Sequence, residues 1–399
     1  MQKIKVLGIF ALLIGDREKQ GASPFPPTPH TMSDKTTSDF DLKTKLQPIE
    51  TETMDASFTL GLVGNYADTD ETRFLLTPEG SGLLTSAGIR IIMEKGAATD
   101  ISFPDSSYRE YGVTIGTRSE ALKCDVVLSY RPLHAHDIHK MKKGAALFTM
   151  MGPGYLDVNV IQALMSKEIA CGCLENVISH NGEPVFANIV DEIDGRGSIM
   201  YAQEYLSYLG GGKGVLLAGV AGINPCEVLI IGDGTVVYYA AKAAIAAGAY
   251  VTLMNNDISA LHEAKCFCGD SLNTIAIHPR VLFNKVKSAD VILIGECTRP
   301  FEFPKNLSPA LKDSVYLLNF QETHPSISVP RTVAMALSNI IVNFFDDVIL
   351  KGGVNHMIAS TPGVQPGMVT FHGKLVDKLI GSFLNLPSVD IKVMLAATN

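Results

Sequence analysis

Short apolar runs punctuate this chain, and between them the apolar positions fall at helical spacing. Phe58–Val63, Ile89–Met93, Val113–Ile115, Asp125–Leu128, Ala146–Thr149 and Ile169–Leu174 read as strands, several rich in branched residues. The intervening stretches Glu79–Ala87, Ser107–Tyr111, Ser119–Lys123, Ile138–Met141 and Leu156–Ser166 read as helices, with Pro78 placed to open the first and Gly88 to close it. Strand and helix alternate, which predicts a parallel or mixed sheet.

The same alternation returns more strongly in Cys226–Asp257. Glu227–Ile231 is a buried-strand pattern, Gly232-Asp-Gly234 a tight turn, Thr235–Ala249 a small-residue helix, and Tyr250–Met254 a second buried strand. Such a unit leaves a helix N-terminus facing a cleft, where a dinucleotide is the usual guest. The fingerprint G-x-G-x-x-G is incomplete, because Val237 takes the third glycine position and its branched side chain is expected to crowd the helix or the phosphates. Where an acid would receive the adenosine ribose the chain has Asn255, which can hydrogen-bond but carries no charge. Gly232, Gly234, Thr235, Val237 and Asn255 are therefore the candidate cofactor-binding residues. Thr274–Ile277, Val291–Ile294 and Val315–Leu318 continue as strands.

Asp194–Leu209 reads as a connecting helix, Gly210–Gly214 as a hinge, and Arg331–Leu350 as a long apolar helix. The last apolar patch, within Phe383–Asn399, is expected to pack back on the first domain. The fold class is thus α/β and two-lobed: a Rossmann-type nucleotide-binding domain at 195–325, and a discontinuous α/β substrate domain at 54–194 with 326–399. Residues 1–53 read as a poorly structured tail, since 16–52 is polar and carries Pro24-Phe-Pro-Pro-Thr-Pro29.

Composition narrows the picture. The 399 residues are 46% hydrophobic and 19% charged, enough apolar content for two cores. A net charge of −8 gives no pull toward nucleic acid or an anionic membrane. Val6–Ile14 after Lys3 and Lys5 is too short to span a bilayer and lacks a small-residue cleavage site. Seven cysteines in apolar context fit reduced thiols and a cytoplasmic protein. No metal is expected: His262-x3-Cys266-x-Cys268 lacks structural zinc spacing and a second pair. His134, His136 and His139 read as an exposed cluster, Lys213 as a phosphate contact or a carbonyl cap, and Asp191, Glu192 and Asp194 as a solvated face. Arg73, just ahead of the Pro78 helix start, reads as either a ligand contact or a surface ion pair.

From about Phe58 onward the motifs combine into a resemblance. Glu71-Thr-Arg73-x3-Thr77-Pro78, Met93-Glu-Lys-Gly-Ala97, Lys143-Gly-x2-Leu-Phe-Thr149, Gly211-Gly-Lys-Gly-Val-Leu-Leu-x-Gly219, Ala289-Asp-Val-Ile-x-Ile-Gly295 and Val329-Pro-Arg-Thr332 with Ala336-Leu-Ser-Asn339 are similar to the alanine dehydrogenase and pyridine nucleotide transhydrogenase family. The resemblance implies an NAD-linked oxidoreductase acting on a small amino acid or 2-oxo acid, as a homo-oligomer. L-alanine, NAD and water would give pyruvate, ammonia and NADH.

The implied catalytic roles transfer unevenly. The carboxylate-binding arginine falls on Arg73. The carbonyl-polarising lysine falls on Arg131, which keeps charge but gives up no proton at ordinary pH, and the preceding lysine position is Ser129. The proton-transfer histidine falls on Gly152 and the aspartate near Glu322. His324 falls on a family asparagine and is a candidate for the missing imidazole. These departures open an alternative: a catalytically inactive nucleotide-binding or regulatory homologue on the same fold.

Overall fold

The computed structural model describes residues 58–64, 66, 70–150, 157–297 and 304–398. The 1–53 tail and Gly152 lie outside the described residues. In chain order the strands are β1 (Thr59–Val63), β2 (Arg90–Glu94), β3 (Thr114–Gly116), β4 (Val126–Ser129), β5 (Ala146–Thr149), β6 (Ala170–Cys173), β7 (Glu227–Ile231), β8 (Tyr250–Asn255), β9 (Asn273–Ala276), β10 (Val291–Ile294), β11 (Tyr316–Asn319), β12 (Met368–Phe371) and β13 (Lys374–Leu375). They form two sheets. One runs β13-β12-β6-β5-β4-β1-β2-β3, the other β11-β10-β7-β8-β9.

The five-stranded sheet is parallel throughout. Its helices cover both faces, so β7 and β10 are buried on each side, which is why their sequences are continuous apolar runs. The eight-stranded sheet is parallel from β3 to β6 and turns antiparallel at β12 and β13. The chain therefore leaves the first sheet after β6, builds the second sheet, and returns to finish the first.

The helix Pro330–Leu350 carries the return. It is long and apolar enough to cross a bilayer by length and composition. Its Val333, Leu337, Ile341, Phe345 and Val348 are instead buried in the core on one face of the larger sheet, where Phe344 meets Phe148 edge-on with ring centroids 5.0 Å apart. Thr77 caps the helix Pro78–Ser86, and its backbone N–H and hydroxyl meet the Ser338 hydroxyl at 3.2 Å, fixing that helix to the returning one.

The connecting helix is Ala187–Leu206, beginning a turn and more before the expected Asp194. Gly195 and Gly197 argue against a helix by propensity, but each serves close packing. A Cβ on Gly195 would lie 2.5 Å from the Val236 carbonyl oxygen, and one on Gly197 would lie 2.8 Å from the Pro325 Cβ. This helix thus touches both the helix Thr235–Ala246 of the smaller sheet and the turn Pro325–Ser328. The glycines expected to form a hinge fold back on its C-terminal end, with Gly212 and Gly214 N–H groups bonded to the Ser207 and Leu206 carbonyls at 2.9 Å.

Candidate functional site

The glycine corner lies at the C-terminal end of β7. Gly232 has φ +140°, and a Cβ there would sit 2.8 Å from the Glu296 carbonyl oxygen, which also accepts from the Asp233 N–H at 2.8 Å. Gly234 has φ +86°, with nothing within 4 Å of where a side chain would begin. The helix Thr235–Ala246 starts there with no side chain capping its first turn. Its first-turn N–H groups have no side-chain cap, and the positive dipole end of the helix lies beside the open position at Gly234, an arrangement that fits a pyrophosphate. Thr235 is held sideways, its hydroxyl donating to Asn188 Oδ1 at 3.2 Å.

Val237 does not crowd this corner. It is fully buried, and its Cγ2 lies 2.2 Å from where a Cβ of Gly295 would be. The volume added at the third fingerprint position is matched by a glycine at the end of β10, so the valine fills helix–sheet space and leaves the phosphate space alone.

Asn255 departs from its expected role. It is 1% exposed, and its Nδ2 donates to the Gly232 carbonyl and to Asp233 Oδ2, both at 3.0 Å, while its Oδ1 accepts from the Asp257 N–H at 2.8 Å. The amide is turned inward as a brace for the glycine turn, so it does not face a ribose. Restoring an acid here is therefore expected to harm the chain. Asn255→Asp removes two donors and sets a carboxylate against Asp233, at a cost of about 1–3 kcal/mol. Calorimetric unfolding reads this as a lower Tm, and an unchanged Tm would contradict the bracing role.

The second half of the site gathers around Arg73, which is neither exposed nor on the surface. It is 4% exposed, with Nε and Nη2 donating to the two Glu71 oxygens at 2.7 and 2.8 Å and Nη1 donating to Ser326 Oγ at 2.9 Å. Burial works against its charge, and the Glu71 carboxylate more than restores it. Its guanidinium lies 4.4 Å from the centroid of the Tyr130 ring. Burial pushes the Tyr130 hydroxyl up, so it remains protonated.

The β4 loop is tied down by Tyr66. The Tyr66 hydroxyl accepts from Tyr130 N–H at 2.7 Å and Arg131 N–H at 3.2 Å, and it bonds the buried Ser129 hydroxyl at 2.9 Å. Arg131 itself is half-buried on this loop. Glu322 is exposed beyond β11, accepting from Asn319 Nδ2 at 3.3 Å. His324 is half-exposed, its Nδ1 3.6 Å from Asp194 Oδ2.

Asp194 and Asp191 overturn the solvated-face reading. Asp194 is 4% exposed and accepts from the Ser326 N–H at 2.6 Å. Asp191 is partly buried, and its carboxyl is pushed up to about 6, first by burial and then by Asp194 and Glu296, against the opposing His324. Of the three, only Glu192 behaves as expected, pairing with Arg196 at 2.8 Å.

Other candidates fall elsewhere. Lys213 pairs with Asp290 at 3.3 Å, beside Lys312. His134 and His136 stack with ring centroids 5.6 Å apart on an exposed helix end. Among the described residues no three His, Cys, Asp or Glu side chains converge to hold a metal. Tyr66, Tyr130 and Ser326 were missing from the sequence reading. Ser326 joins Arg73 across 253 residues, and no local pattern announces that pairing.

Comparison with known proteins places this geometry. Residues 66–188 match the model of the alanine dehydrogenase/PNT N-terminal domain, and residues 198–300 match that of the C-terminal domain, together more than half the chain. The alanine dehydrogenase of Mycolicibacterium smegmatis is 25% identical over 366 residues, covering 82% of this chain and 97% of its own length. That of Staphylococcus saprophyticus is 26% identical over 358 residues, covering 81% and 96%. In fold, an L-alanine dehydrogenase structure superposes with a TM-score of 0.73 at 20% identity, over 82% of this chain and 100% of that one. A transhydrogenase from Sinorhizobium meliloti superposes with a TM-score of 0.66 at 15% identity, over 80% and 99%. The chain belongs to the alanine dehydrogenase/PNT family.

Proposed function

We propose that this chain is an NAD-linked oxidoreductase of the alanine dehydrogenase type, interconverting L-alanine and water with pyruvate and ammonia. The observation that carries the reading is the open, uncapped start of the helix Thr235–Ala246 at Gly234, beside a turn braced by Asn255. Gly232, Gly234 and Thr235 would hold the pyrophosphate there. NAD, when bound, supplies the hydride acceptor. Arg73 and Ser326 would orient the substrate carboxylate, Arg73 through charge and Ser326 through its hydroxyl. Tyr130 and the apolar core behind it would keep water from that end of the site.

This reading assigns 54–194 with 326–399 to the substrate lobe and 195–325 to the nucleotide lobe. It carries with it a cytoplasmic location and a homo-oligomer, the latter checked by light scattering on the eluting protein. A second reading, a nucleotide-binding regulator without turnover, is favoured by one observation: each nitrogen of Arg73 already has a protein partner.

One experiment separates them. Purified protein is titrated calorimetrically with NAD, NADH and NADP. It is also assayed by the absorbance of NADH with L-alanine, and with pyruvate plus ammonium. Binding with turnover supports the enzyme, binding without turnover supports the regulator, and no binding removes both.

A further inference from the structure

The helix Ala187–Leu206 joins the two halves of the site, and three polar residues mark its path. Asn188 accepts from Thr235 at the glycine corner. Asp194 accepts from the Ser326 N–H, and the Ser326 hydroxyl in turn accepts from Arg73. Asp191 lies three residues after the first and three before the second. Residues three apart rise about 4.5 Å along the axis and step back about 60° around it, so Asp191 lies midway between Asn188 and Asp194 and points between the direction of the corner and that of the arginine. A hydride acceptor anchored at the corner and a carboxylate held by Arg73 would have to meet in that interval.

We propose that Asp191 is the proton-transfer residue of the site, in place of the imidazole absent at Gly152, with Asp194 and His324 as positioning residues that set its charge. The assignment rests on the oxidoreductase reading above. In the oxidative direction the substrate ammonium gives one proton to the Asp191 carboxylate, which passes it to solvent. The Cα–H bond then breaks, its hydrogen leaving with the electron pair to reduce NAD, and a C=N bond forms. Water adds to that carbon, the C–N bond breaks, and pyruvate and ammonium leave. One proton is released in all.

The surroundings suit that task. A carboxylate three residues from another on one helix face is destabilised by repulsion. The groups facing Asp191 are Asp194 on its own helix, Glu296 in the loop after β10, and His324 ahead of the turn Pro325–Ser328. Burial and the two acids hold its carboxyl near 6, while His324 draws it down. A base poised near neutral pH is what proton transfer needs, and such tuning clusters at functional sites. Asp194 cannot take the role itself, being 4% exposed and bonded to Ser326.

The test is the pH profile of alanine oxidation at saturating NAD, from about pH 5 to about pH 9.5. The unaltered chain is expected to gain rate through a limb near pH 6 as Asp191 loses its proton. Asp191→Asn is expected to lose about 10²- to 10⁴-fold in kcat and to lose the limb. Its NADH affinity, read by fluorescence, should stay within about twofold, which shows that the variant is folded. Asp191→Glu should recover part of the rate. Asp194→Asn removes a neighbour that raises Asp191 and should move the limb to lower pH. His324→Gln removes one that lowers it and should move the limb to higher pH. Unaltered kcat in Asp191→Asn, or a limb that stays put in both neighbour variants, overturns the assignment while leaving the enzyme reading intact. Absence of turnover in the unaltered chain overturns both.

Discussion

Replacing Arg73 with alanine is expected to destabilise the chain by about 3–5 kcal/mol, because it takes the charge partner from a buried carboxylate. The Glu71 side chain is 1% exposed and that of Arg73 3%, so neither end of the pair can turn to water when the other is lost. The change removes two charge-assisted bonds at 2.7 and 2.8 Å, the donor to Ser326, and the stacking on Tyr130. Lysine is not a conservative substitute, since a single ammonium cannot reproduce the fork. Urea unfolding should show the midpoint falling sharply. Replacing both partners by apolar residues, Glu71→Leu with Arg73→Met, should recover most of the loss, because no charge is then left alone. A single Arg73→Ala variant within about 1 kcal/mol of the parent would show that water reaches this pair.

The second large effect concerns the match between Val237 and Gly295. Gly295→Ala sets a methyl group 2.2 Å from Val237 Cγ2, with nothing else nearer than 3.8 Å. Overpacking of this kind costs about 1–3 kcal/mol. Relief moves the Val237 side chain or the first turn of the helix Thr235–Ala246 that carries it, so affinity at the proposed nucleotide corner should fall along with stability. Adding Val237→Ala removes the opposing methyl groups and is expected to restore most of both. The pair should therefore show strong coupling in a double-mutant cycle of unfolding free energies, and simple additivity would rule out the contact as the cause.

Much of the fold could be read because its strands are locally marked. Val126–Leu128, Glu227–Ile231 and Val291–Ile294 are buried on both faces, and a short run of branched residues records that. The hairpin of β12 and β13 was missed because its pattern is set by distant partners. Thr370 is fully buried yet polar, and its hydroxyl donates to the Ile169 carbonyl. The connecting helix was read only from Asp194, while its first residues, Ala187–Ile193, went unread.

The site was legible where a turn dictates chemistry and opaque where partners are remote. Gly232 and Gly234 could be found, since positive φ calls for glycine. Asn255 could be placed at the corner, but its inward direction depends on the Gly232 carbonyl and Asp233. Asp194 looked solvated because the N–H that satisfies it belongs to Ser326, 132 residues later.

The return of the chain to its first sheet also bears on synthesis. β6 pairs with β12 through Cys171 and Thr370, and the bond closing that edge joins residues 201 positions apart. On the ribosome the β6 edge must wait, with its backbone groups exposed, until residues 368–375 emerge. The five-stranded sheet, drawn from one uninterrupted stretch, can close first. A nascent chain paused late in translation would thus present a folded five-stranded lobe beside an open, sticky strand, the kind of edge that chaperones cover and aggregates extend.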